Sequence, residues 1–137
     1  MAITGGCMCG KIRYTVEGGP LGAGQCYCRD CQYTCGGSPA CAFVVTRSSL
    51  QVHGTPRVYR SRTARGGEAM RSFCPDCGTP LFGEKSSTPQ IVSIMAGSLD
   101  DPDLFAPQAV SWAESAPCWA YLDPRLPRFP RDIQAEP

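Results

Sequence analysis

Seven of the chain's cysteines fall into three tight clusters, and their spacing suits metal chemistry. Cys74 and Cys77 have two residues between them and are followed by Gly78, a knuckle that aims both sulfurs at one point, with Pro75 and Gly78 suited to the tight turn this requires. Tetrahedral zinc takes four ligands, so one knuckle is half a site. Two stretches offer the other half: Cys7-Met8-Cys9-Gly10 near the start, and Cys26-Tyr27-Cys28-Arg29-Asp30-Cys31 after it. The reading adopted joins Cys7 and Cys9 to Cys74 and Cys77, which ties the N-terminus to the middle of the chain across a long loop. Four thiolates make a closed site, which holds structure together but cannot activate a substrate.

That pairing leaves Cys26, Cys28 and Cys31 as a second cluster and a second expected zinc. Three thiolates from one loop leave the fourth tetrahedral position open to water or substrate, as catalytic zinc requires, and a thiol bound there is held as thiolate at neutral pH. Two other readings stand beside it: a second structural zinc completed by another cysteine, or three reduced thiols with no metal. Cys35 is the candidate fourth ligand, since in a helical turn it would share a face with Cys31 at i and i+4. Against that, Cys35 reads as a small buried residue beside an open site. Tyr27, Asp30 and solvent are the candidates for moving a proton there. His53, the one histidine, precedes a turn and reads as solvated.

Composition narrows the remaining possibilities. Ten cysteines among 137 residues also fit a secreted disulfide scaffold. The stretch 1–6 has neither the charged nor the apolar region of a secretion signal, so a cytoplasmic protein is expected. Thirteen basic residues against twelve acidic give a net charge of +1, with no polybasic drive toward nucleic acid. No run approaches the roughly 20 apolar residues of a membrane-spanning helix. Arg57, Arg60, Arg62, Arg65 and Arg71 could face an anionic ligand but read more simply as the polar faces of strands and a loop.

The elements that must position these residues are short strands. Ile12, Tyr14 and Val16 alternate with polar neighbours, the mark of a half-buried strand. The stretch 18–24 is rich in glycine and reads as a loop, and residues 30–34 as one helical turn. Residues 40–45 and 91–96 are apolar runs suited to buried strands. Residues 50–53 and 57–60 around Gly54-Thr55-Pro56 read as a hairpin, and 62–68 as an exposed loop. Strands enter and leave the Cys74 knuckle at 70–73 and 79–82. Residues 99–105 suggest a turn, 108–112 a last strand, Trp119 a cover for the core, and the proline-rich stretch from Asp123 an extended tail. Cys41 reads as a small core residue and Cys118 as core or a surface thiol. The class is all-β with short helical turns, organised as a single domain over 1–130 with a tail over 131–137.

Taken in order, Cys7 to Tyr14, Cys26 to Gln32, Gly36-Gly37, Phe73 to Phe82, Gly97 to Pro102, Trp119 and Leu126 to Phe129 resemble the glutathione-dependent formaldehyde-activating enzyme family, whose domain also occurs in centromere protein V. The resemblance implies an Mss4-like fold of several short antiparallel sheets. It also implies a structural zinc on Cys7, Cys9, Cys74 and Cys77, and a catalytic zinc on Cys26, Cys28 and Cys31. The activity it implies is carbon–sulfur lyase chemistry, joining a small thiol such as glutathione to formaldehyde or another small aldehyde. Met8 and Tyr27 stand where the family often has histidine between paired cysteines, and the family pattern has only three cysteines in the second cluster. The alternative is a zinc-stabilised binding module of the same fold, without turnover.

Overall fold

The computed structural model describes residues 2–133; residues 134–137 of the expected tail lie outside the described residues. Its strands form two sheets. The first has three strands, β1 (Ala2–Gly6), β2 (Arg13–Glu17) and β5 (Leu50–His53), in the order β1-β2-β5. The alternation in β2 works as expected: Tyr14 and Val16 are buried, with Ile12 just ahead of them. The second sheet contains β3 (Gly22–Cys26), β4 (Ala40–Thr46), β6 (Arg57–Arg62), β7 (Glu68–Phe73), β8 (Pro80–Lys85), β9 (Ile91–Met95) and β10 (Val110–Ser111). Their order is β10-β3-β4-β9-β8-β7-β6, antiparallel throughout except for β10 beside β3. One helix, α1 (Arg29–Thr34), and a few 3-10 turns complete the all-β fold.

The core lies where the two sheets meet. Ile12, Tyr14 and Val16 from the first pack with Phe43, Val45, Leu81, Phe82, Val92 and Ile94 from the second. The Tyr14 and Phe82 rings meet edge to face, 5.4 Å between centroids. The Tyr14 hydroxyl is satisfied by Ser98 Oγ at 2.8 Å, and Ser98 in turn donates to the Met95 carbonyl. Arg13 and Asp100 form a bidentate pair at the rim of the same contact, with Thr4 donating to Asp100 at 2.7 Å.

Three local expectations are corrected. Residues 50–53 and 57–60 do not pair: β5 joins β2 while β6 joins β7, so the Gly54 turn carries the chain from one sheet to the other. Only a glycine fits there, at φ 96° with its Cβ position 2.6 Å from the Lys11 carbonyl. The stretch 62–68 is the exposed connection expected, a turn between β6 and β7 closed by Thr63 N–H on the Gly67 carbonyl. Gly22 to Cys26 is a strand despite its glycines, because β4 and β10 supply backbone partners on both sides. Trp119 covers no core: it is 69% exposed, its ring resting over Gly37. The extended tail does dock, with Val110 donating to Pro127 and Phe129 to Val110.

Gly5 marks where the first sheet comes closest to the loop after β9. A Cβ on Gly5 would lie 2.3 Å from the Tyr14 hydroxyl and 2.4 Å from the Ser98 carbonyl. Gly5→Ala is expected to destabilise the fold by about 2–3 kcal/mol, read by chemical denaturation, because neither neighbour can retreat without breaking the Tyr14–Ser98 bond. A midpoint equal to the parent's would show that this contact is slack.

Candidate metal centres

Two hairpin turns from different sheets bring the first sulfur group together. The β1–β2 turn is held by Cys7 N–H on the Ile12 carbonyl, and the β7–β8 turn by Cys74 N–H on the Thr79 carbonyl. Cys7, Cys9, Cys74 and Cys77 then place their four sulfurs within 4.8 Å of one another. Cys7 and Cys9 Sγ are 3.5 Å apart, Cys9 and Cys74 Sγ 3.8 Å. A tetrahedron with metal–sulfur bonds of about 2.3 Å has sulfur–sulfur edges of about 3.8 Å, so the four donors fit such an ion. Backbone N–H groups already point at the sulfurs: Ile12 at Cys7 Sγ, 3.2 Å, and Cys77 at Cys74 Sγ, 3.5 Å.

Thr79 links the two turns, which no sequence pattern announced. Its hydroxyl accepts from Met8 N–H at 3.0 Å and lies 3.1 Å from Cys77 Sγ, so one group serves both halves. Lys11 and Asp76 add an exposed ion pair across the same seam at 3.0 Å, a minor contribution in solvent. The Thr79 hydroxyl and nearby backbone N–H groups hold the Cys77 thiol down to about 5. Cys9 goes the other way: the Lys11 N–H favours its thiolate, but lost hydration and the sulfurs of Cys7, Cys77 and Cys74 push it up to about 12. Four sulfurs this close cannot all carry charge without a cation among them.

The second group is built at the end of β3. Cys26 is its last residue, Cys28 is the N-cap of α1, and Cys31 lies one turn in; their sulfurs fall within 4.8 Å of one another. Cys28 Sγ accepts from Cys31 N–H at 3.3 Å, a cap made by sulfur in place of oxygen. All three are partly buried. The Cys28 and Cys31 thiols hold Cys26 down, while Cys26 and Cys28 push Cys31 well up, so this trio also resists carrying three charges alone. Among the described residues no fourth cysteine, histidine or carboxylate joins the group. Cys35, at the C-cap of α1, stands outside it with its sulfur 3.8 Å from Thr34 Oγ1.

Gln32 holds this loop, and a lone glutamine in a polar stretch gave no warning of it. It is 3% exposed, and its Nε2 donates to the Tyr27 carbonyl at 2.7 Å and the Ser115 carbonyl at 2.9 Å. Arg29 supports the Gln32 carbonyl oxygen and lies over the Tyr33 ring. Tyr27 is buried, donates to the Tyr121 carbonyl at 3.3 Å, and is pushed upward by that burial; Asp30 is exposed. His53 is exposed, Cys41 partly buried against the core and Cys118 exposed. The arginines of the far strands are mostly exposed: Arg60 pairs with Glu68, Arg65 with Asp132, and Arg71 donates to Ser61.

A family model described as glutathione-dependent formaldehyde-activating enzyme matches residues 2–115. The chain belongs to that family. A member-like relative from Halomonas elongata, described as "Putative glutathione-dependent formaldehyde-activating enzyme", is 29% identical over 134 residues, covering 91% of this chain and 83% of the relative. A crystal structure of a Rhodobacter sphaeroides protein is similar in fold, with a TM-score of 0.60 and 28% identity over 76% of this chain and 96% of that one. Both sulfur groups lie within the region matched by the family.

Gln32→Leu keeps the size of the side chain but leaves two partly or fully buried carbonyls without a donor. A loss of about 2–4 kcal/mol in denaturant stability is expected. Metal affinity of the second group should fall about 10–100-fold, with the first group unaffected, measured by chelator competition. Equal weakening of both groups would show that Gln32 supports the fold generally and not this loop.

Proposed function

We propose that this protein is a zinc-dependent enzyme of the carbon–sulfur lyase type, joining a glutathione-like thiol to formaldehyde or another small aldehyde, or running the reverse. The observation that carries the reading is the second sulfur group: three convergent cysteines, with no fourth cysteine, histidine or carboxylate among the described residues in a chain of this family. Cys7, Cys9, Cys74 and Cys77 form the closed, structural site; Cys26, Cys28 and Cys31 form the open one, with Cys35 outside the ligand set. Bound zinc would supply Lewis acidity that keeps a substrate thiol ionised at neutral pH.

The chain's own residues set the rest. The Cys28 cap and the Gln32 carbonyl bonds fix the loop, so the three sulfurs need little rearrangement to act together. In the addition, the thiol sulfur bonds to the carbonyl carbon and the thiol proton ends on the carbonyl oxygen, giving a hemithioacetal. Tyr27 is a poor base, since its phenol already donates to Tyr121 and burial raises it. That leaves the exposed Asp30 or solvent to exchange the proton. The same reading places the protein in a reducing compartment, the cytoplasm, because both sites need free thiols. Among the described residues no helix is long and apolar enough to cross a membrane. The working unit is the single domain expected over 1–130.

The deciding experiment follows formaldehyde and glutathione by exchange-sensitive NMR, with and without the metal-loaded protein. Faster exchange into the hemithioacetal is expected with the parent and not with Cys28→Ser. No acceleration by the zinc-loaded parent would refute the enzyme reading and leave a metal-stabilised binding module.

Metal counting separates the two sites. Cys28→Ser should lose about one equivalent of zinc with its circular dichroism unchanged, whereas Cys74→Ser should express poorly or melt far below the parent, because structural zinc binding is coupled to folding. The reverse pattern would mean that the structural and open roles are exchanged.

A further inference from the structure

Cys35 and Cys41 belong to neither sulfur group, yet they line one cavity of about 270 Å³, together with Pro39, Thr79 and Met95. A second cavity, of about 370 Å³, shares Pro39 and Cys41 with it and extends past Gln25 to the exposed rings of Trp119 and Tyr121. The two adjoin at Cys41 and make one groove with a thiol at its centre and another at its side. The backbone around the two thiols differs. Cys41 lies in β4 opposite Gln25 of β3, one residue before the ladder to β9 begins. Cys35 ends α1 and is followed by Gly36 and Gly37, both in the left-handed region, with open space around Gly36. Burial, and after it the nearby Cys35 sulfur, push the Cys41 thiol upward.

We propose that Cys35 and Cys41 are an oxidisable pair that reacts with a low-molecular-weight disulfide seated in this groove. In the first step the Cys35 sulfur attacks the disulfide, forming a mixed disulfide on Cys35 and releasing one thiol. In the second, the Cys41 sulfur attacks Cys35, forming the Cys35–Cys41 disulfide and releasing the second thiol. The pair loses two electrons and two protons, and the small disulfide gains both. The size and lining of the groove favour a peptide disulfide such as oxidised glutathione: Trp119 and Tyr121 offer flat faces, and Gln25 and Ser38 offer hydrogen-bonding groups. The site does not depend on the proposed enzyme activity. Oxidising it removes no sulfur from either convergent group, so bound metal stays in place.

The test uses the metal-loaded protein treated with oxidised glutathione, alkylated in denaturant and analysed by intact mass, peptide mapping and metal counting. The expected result is the loss of two hydrogens, a cross-linked peptide joining Cys35 to Cys41, and an unchanged metal content. Cys41→Ser should stop at one glutathione on Cys35, and Cys41→Ala should do the same if the serine variant folds poorly. In that background Trp119→Ala should slow adduct formation several-fold, and an unchanged rate would remove the groove from the proposal. Adducts only on Cys118, cross-links among Cys26, Cys28 and Cys31 with loss of metal, or both thiols remaining reduced would each overturn it.

Discussion

Everything in this fold turns on the meeting of two hairpin turns at one set of sulfurs. The β1–β2 turn belongs to the small sheet and the β7–β8 turn to the large one, and among the described residues no backbone ladder joins these sheets. What joins them is the shared core around Tyr14 and Phe82, the isolated bridge from Gly5 to Leu99, and the four cysteines at the end of the seam. The core is non-directional and would tolerate some sliding of one sheet over the other. Four sulfurs at tetrahedral spacing would not once an ion sat among them, because metal–thiolate bonds have fixed lengths and angles. On this view the cysteines set the register of the sheet packing, and the apolar residues supply most of its energy.

Much of this was legible in the sequence, and the reason is physical. Alternation in residues 12–16 and the apolar runs at 40–45 and 91–96 reflect a core that buries one face of β2 and the middle strands of the large sheet. The cysteine spacing pointed to two groups because a C-x-x-C turn can place its sulfurs in only a few ways. The partner of each strand was less visible. The Gly54 turn has the composition of a hairpin, but Ile12 and the Lys11 carbonyl crowd it into a crossing between sheets. Local composition carries no record of that distant contact. Trp119 misled for a related reason, since its ring is satisfied by the flat surface of Gly37 and never reaches the interior.

The second site shows the same division. Cys26, Cys28 and Cys31 announced themselves; Gln32 did not, although it is the most buried polar residue of the loop. Its carbonyl partners come from Tyr27, close in sequence, and Ser115, far away. The short helix has too few turns to stand alone. It is held by the sulfur cap at its start, by the glutamine in its middle, and by the short turn after β10 that supplies Ser115. Loop chemistry is thus tied to residues near the other end of the chain.

That dependence has a consequence for how the molecule assembles during synthesis. The first 53 residues contain every strand of the small sheet and all three cysteines of the C-x-C-x-x-C loop. The loop can therefore meet an ion while the ribosome is still translating, whereas Cys7 and Cys9 must wait for Cys77 to emerge. Until Ser115 appears, the early loop lacks one of its two anchoring carbonyls. The sulfur group that is translated first is the one finished last, and a nascent chain released too soon would hold its three sulfurs on an unanchored loop.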